Sequence, residues 1–189
     1  GEIVMKYQYV FYPGEITINL QKVPNKLPQK DGYTFENNFF GIGTAEDFYN
    51  LGVTKVKLMQ IPAIFNKTYC GELLYDKRIL PKEIRKSFLG YSHMTSIIAD
   101  QCRLGIPDDW KKNGLEITFL SSVWRFENKK PPTIFFACSM KFVDGRFREI
   151  NKPSDEEAKI GDCLIAVSYQ KFLEAEKKTS ETGLYSFAV

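Results

Sequence analysis

The feature that most restricts this chain is a change of hydrophobic period along its length. Apolar residues recur at every second position near both ends and at helical spacing mainly in the middle. Period two places alternate side chains on opposite faces of a strand, whereas spacings of three and four gather them on one stripe of a helix. Strands, then helices, then strands again predict an α+β fold: mostly antiparallel strands around a central helical pair.

In residues 3–11, Ile3, Met5, Tyr7, Tyr9 and Phe11 share one face, with Lys6 and Gln8 opposite. Pro13-Gly14 is a turn signal, and Ile16, Ile18 and Leu20 then alternate with Thr17, Asn19 and Gln21. The expectation is a hairpin folded at Pro13-Gly14. Residues 24–32 read as loop, and Tyr33 to Phe40 as a weaker strand. Thr44 with Asp47 suggests a cap for a short helix over 45–51, ended by Gly52. A strand over 53–61 closes at Pro62, and 68–75 offers another short strand.

The central helices are expected from Pro81, which suits a first helical position, through Ile84 and Phe88 to a C-cap at Gly90. The second runs from a cap at Ser92 through Met94, Ile97, Ile98 and Cys102 to Gly105. Residues 106–114, with four charges around Trp110, read as loop. Period two returns in 115–126, where Leu115, Ile117 and Phe119 share a face. It continues in 133–142, where Ile134, Phe136, Cys138, Met140 and Phe142 do the same. Asp144-Gly145 invites a tight turn into a return strand near 146–150. The last segment has two readings. Ser154 and Glu157 form a capping box, and Ala158, Ile165, Tyr169, Phe172 and Leu173 suit one helical face, so 155–177 is expected as a C-terminal helix. Against this, Gly161 interrupts the helix, and Cys163 to Val167 suits a buried strand. Residues 184–188 add a terminal strand. The whole, residues 1–189, reads as one globular domain, and the start at Gly1 suggests that a natural N-terminal segment is missing.

Composition excludes whole classes. A 43% hydrophobic content with a net charge of +3 is too apolar and too weakly charged for a disordered chain. No apolar run approaches the ~18 residues that a spanning helix needs. The four cysteines, Cys70, Cys102, Cys138 and Cys163, are too far apart for metal-finger or redox-motif spacing. They read as free thiols in a reducing, cytoplasmic compartment. Asn66-Lys67-Thr68 is a glycosylation sequon that points the other way.

Candidate chemistry is sparse. There is one histidine, His93, expected as an exposed polar residue in the first turn of a helix. Cys102 lies nine residues further on the same expected helix, about 13 Å away along the axis and on the far side, so the two cannot form a dyad. One His and scattered Cys supply no local tetrahedral set, and Asp108-Asp109 and Asp155-Glu156-Glu157 lack a metal-loop spacing. Gly41-Ile42-Gly43-Thr44 suggests a phosphate cradle but lacks the further glycine or lysine that such loops carry. No catalytic, cofactor-binding or metal-ligating residue is therefore expected, and no cofactor.

What remains is basic residues beside aromatics: Trp110-Lys111-Lys112, Trp124-Arg125-Phe126 with Lys129 and Lys130, and Arg146-Phe147-Arg148. On one sheet edge they would form a cationic rim, able to neutralise phosphates and to stack on bases or meet an acidic membrane surface. The abundance of Tyr, Phe and Trp also suits a protein–protein interface. The first expectation is a non-catalytic structural or interaction protein that assembles with itself or another protein, of the kind that builds a small virus coat or matrix. A nucleic-acid-binding domain using the rim is the second. A ligand carrier or enzyme with a pocket between sheet and helices is the third.

Overall fold

The alternating segments form strands, and most of them join one curled mixed sheet with helices against both faces. The computed structural model describes residues 4–6, 9–22, 33–35, 50–60, 82–126, 135–150, 163–182 and 186–188. In chain order the strands are β1 (Val4–Lys6), β2 (Val10–Leu20), β3 (Tyr33–Phe35), β4 (Gly52–Gln60), β5 (Glu116–Phe126), β6 (Phe135–Val143), β7 (Arg146–Ile150), β8 (Cys163–Ser168) and β9 (Ser186–Ala188). The helices are α1 (Lys82–Arg85), α2 (Tyr91–Asp100) and α3 (Tyr169–Thr182), with a 3₁₀ turn over Asp108–Lys111. The main sheet runs β2-β4-β8-β5-β6-β7, with β3 paired to the far end of β5, and β1 pairs with β9 separately. Every pairing is antiparallel except β5 with β8. The α+β class with a mostly antiparallel sheet, a central helical pair and a C-terminal helix is what the chain adopts. Of the expected helix over 45–51 only Asn50 and Leu51 are described, and neither is helical; the element over 68–75, the loop at 24–32 and the sequon lie outside the described residues.

The register sorts side chains onto two faces. Ile16, Ile18, Val56, Leu58, Leu164, Ala166, Ile117, Phe119, Cys138, Met140 and Phe147 face Met94 and Ile97 of α2 in one buried core. Met59, Ile165 and Val167 alternate with them and lie on the opposite side, the side of Phe172 in α3. Burying this much apolar surface, at roughly 25 cal/mol per Å², is the main favourable term in the fold.

Pro13-Gly14 does not turn the chain. β2 runs straight through it as one edge strand, paired to β4 rather than folded on itself. The register shifts between Tyr12 and Ile16, so Pro13 and Gly14 form a bulge. An edge tolerates proline because one side of the strand needs no donor. Four steps on β2 match two on β4 across the bulge, so the alternation of faces is kept through it. Phe11 meets Tyr169 and Phe172 edge-on at 5.4 and 4.9 Å, while Ile16 and Ile18 enter the opposite core. The bulge is held by the 3₁₀ turn, since Trp110 Nε1 donates to Pro13 O at 3.0 Å and Tyr12 Oη donates to Asp109 O at 2.9 Å.

The expected helix over 155–177 is corrected. Its middle is β8, and the helix starts only at Tyr169. Leu164, Ile165, Ala166 and Val167 are all buried because β8 is central and covered on both faces. A strand covered on both faces need not alternate, which is why this one mimics a helix segment in the sequence. Ser168 then caps α3, its Oγ accepting from Lys171 N.

The central helices are shorter than expected. α1 ends at Arg85, and Phe88 instead bridges Val167 of β8. Gly90 is the N-cap of α2 rather than a C-cap of α1, and Ser92 lies inside the helix. Asp144-Gly145 does form the tight turn, with φ of 51° and 81°, the primed geometry that hairpins favour. At the β7 edge, Gln101 closes the sheet. Its Nε2 donates to Phe147 O at 3.2 Å and its Oε1 accepts from Phe147 N at 2.8 Å.

Gly14 has a φ of 100°, and a Cβ built there would stand 2.7 Å from Pro107 Cγ and 2.9 Å from its Cβ. Gly114 has a φ of 80° but open space around it. Gly14→Ala should therefore cost about 2–4 kcal/mol, combining left-handed strain with overpacking. Gly114→Ala should cost only about 1–2 kcal/mol from strain alone. Urea unfolding of both variants checks the order; equal losses would mean that the bulge and the 3₁₀ turn are not in contact.

Candidate functional site

On the β6–β7 hairpin, pleating separates apolar from charged residues. Phe142 and Phe147 are cross-strand partners on the core side, their rings 5.1 Å apart. Lys141 pairs with Arg148, and Val143 with Arg146, on the other side. Lys141 is half-buried, and Val143, Arg146 and Arg148 are exposed. Two cations directly opposite one another destabilise a strand pair. Among the described residues no acidic group forms an ion pair with Lys141, Arg146 or Arg148. The Asp144-Gly145 turn fixes this register, and Gln101 holds the outer strand in place through Phe147.

The rest of the expected rim does not join this face. Trp110 is fully buried, so it cannot stack on a base or enter a membrane. The 3₁₀ turn drives its ring into the core beneath β2 and leaves the flanking charges outside. The ring's bond to Pro13 O is structural. Lys111 and Lys112 remain on the surface but have local counterions. Lys111 Nζ lies 3.7 Å from Asp108 Oδ1 and over the Phe142 ring at 5.6 Å. Lys112 Nζ lies 3.2 Å from Asp109 Oδ1, and that hydrogen-bonded carboxylate, followed by the Tyr12 phenol, holds its pKa above the ordinary lysine value. Phe142 places Lys111 on the core side of the hairpin, opposite to Arg146 and Arg148. Arg125 sits in β5 in register with Thr34 and Phe135. Lys129 and Lys130 lie outside the described residues. Lys141 was missed as a contact residue, although its place two positions before Val143 in an alternating strand marks it as sharing a face with Arg148.

His93 is also corrected, being fully buried rather than exposed. The backbone N–H of Gly90 can only donate, so Nδ1 accepts it, at 3.1 Å, and carries no hydrogen. Nε2 therefore bears the hydrogen and donates to Asn50 O at 2.9 Å. The ring is neutral, and it does for the start of α2 what Glu or Gln does in a capping box. Asn50 continues the network, its Nδ2 donating to Lys86 O and Phe88 O at 3.2 and 2.9 Å. Of the thiols, Cys138 is buried in the core and Cys102 is exposed just past α2. Arg85 is largely buried, and desolvation lowers its pKa. Among the described residues no group of three or more His, Cys, Asp or Glu is placed to hold a metal ion. No described helix is long and apolar enough to cross a membrane.

The abundance of Tyr, Phe and Trp is one of the reasons, beside the sparse chemistry, for expecting an interaction surface. The large rings Trp110, Phe88, Phe119, Phe147 and Phe172 are instead fully buried, and the exposed large apolar side chains among the described residues are Val10, Leu51, Val53, Val143 and Leu173. Compared with known proteins, the chain matches no family model, no curated protein and no solved structure.

Replacing Trp110 by Ala should cost about 3–5 kcal/mol, as for other buried aromatics. His93→Ala should cost about 2–4 kcal/mol, since each buried polar group left unsatisfied costs roughly 1–3 kcal/mol. His93→Gln should recover part of that loss by restoring an acceptor for Gly90. Thermal and chemical denaturation test both sites; a His93→Ala variant as stable as the parent would remove the structural role assigned to the ring.

Proposed function

We propose that this is a non-catalytic interaction and assembly protein, which acts by surface contact rather than by making or breaking bonds. The observation that carries this reading is the use of the only imidazole in the chain. Both ring nitrogens of His93 are engaged by backbone groups in a site closed to solvent. A general base needs a free lone pair within reach of a substrate proton, and this ring offers none. Self-association is supported by Leu51 and Val53, both exposed at the start of β4, Val53 at 68%. An apolar pair in that position loses contact with water when it meets a second copy, and aliphatic residues gain about 0.8 kcal/mol per buried CH₂.

Sedimentation equilibrium over a wide concentration range tests the proposal. The expected result is a reversible rise in mass with concentration, which Val53→Lys shifts towards the monomer. A protein that stays monomeric at the highest concentration and binds neither polyanion nor acidic vesicle would refute it.

A further inference from the structure

Resting on that reading of a surface-acting protein, we infer that the outward face of the β6–β7 hairpin, formed by Lys141, Arg146 and Arg148, binds the phosphate backbone of a nucleic acid without reading its bases. Three observations converge on it. First, the cations share one face by register, with Lys141 directly opposite Arg148 and Arg146 two residues along the same strand. Second, they have no acidic partner among the described residues, whereas Lys55, Lys57, Lys86, Lys111, Lys112, Lys171, Lys178 and Arg103 each have one. A bridging anion would relieve the repulsion that the bare face carries. Third, the face is rigid: a primed turn closes one end, and Gln101 pins the outer strand through both backbone groups of Phe147. A fixed face loses little freedom when it binds.

The chemistry of the face selects the partner. Arginine presents a planar fork of donors that matches phosphate oxygens in pairs, and lysine adds a point charge. A lipid surface calls for rings or bulky apolar groups that insert beside the basic ones. Here the exposed apolar group is Val143, and the hairpin's described rings, Phe142 and Phe147, point to the core. A protein partner calls for an apolar interface centre in which lysine is depleted. Among the described side chains of this face there is also no ring to serve as the stacking platform by which single-stranded binders hold bases. What remains is contact with the phosphates, which positions a nucleic acid but carries no sequence information.

Fluorescence anisotropy with a labelled poly-dT oligonucleotide tests the inference, with sedimentation of the same sample without oligonucleotide run beside it. Neutralising three phosphates should give a log–log salt slope of about −2, so affinity should fall roughly 20-fold between 50 and 200 mM salt. Mixed-sequence oligonucleotides should bind equally well. Arg146→Gln should lower the slope by about 0.7. Arg148→Glu should abolish binding while keeping or raising the melting temperature, because the new carboxylate faces Lys141. That second variant separates loss of contact from loss of fold. Unchanged binding in a folded Arg148→Glu protein overturns the inference, as does tighter binding to phosphatidylserine vesicles than to the oligonucleotide. No binding at low salt with self-association intact overturns this face alone; a strict monomer that binds neither the oligonucleotide nor the vesicles overturns the surface-acting reading as well.

Discussion

The fold depends on how the chain fills a gap in its own sheet. β5 runs beside β8 only over its first residues, Glu116 to Thr118, and its far end pairs with β3 instead. The segment between α1 and α2 occupies the space where they part. Leu89 N donates to Ala166 O of β8 at 3.1 Å, and Leu89 O accepts from Ser121 N of β5 at 3.1 Å. Ser168 N donates to Ser87 O at 2.7 Å, and Tyr91 N to Ser122 Oγ at 2.9 Å. Without this insert, central backbone groups of both strands would be buried without partners, which folded proteins rarely tolerate. His93 and Asn50 hold the insert from behind, and so the buried imidazole belongs to the architecture of the sheet. Its position three residues after Gly90 lets one side chain cap a helix and anchor residue 50 together.

Much of the sheet was legible because most of its strands alternate apolar with polar residues, even where both faces are covered. β4, β5, β6 and β7 alternate visibly, and Asp144-Gly145 names its own turn. The misreadings have a common origin in tertiary context. Pro13-Gly14 has the local chemistry of a reverse turn, yet Trp110, almost a hundred residues away, holds it as a bulge. The run from Cys163 to Val167 is apolar throughout because the sheet centre is covered twice, and that pattern has no period to read. Gly90 suits either end of a helix, and only the His93 bond decides which one it serves.

The site was half legible for the same reason. Arg146 and Arg148 alternate with Phe147, so their shared exposed face follows from sequence once the strand is granted. Lys141 requires the register of β6 against β7, which the turn supplies. Trp110 misled because flanking charges suggest exposure. In a 3₁₀ turn those charges project outward while the ring between them turns in. Lys111 and Lys112 looked free because their counterions sit three residues before them, at a spacing that loops do not bring together and helical turns do.

The amide of Gln101 mimics a peptide unit, giving β7 at Phe147 the pair of bonds that another strand would offer. Sheets that end in bare backbone are templates on which further chains can crystallise as ribbons. Here a neighbour must first evict a side chain anchored at the end of α2. Growth by strand addition is thereby capped at this border, and any lattice of copies has to be stitched through side-chain surfaces there.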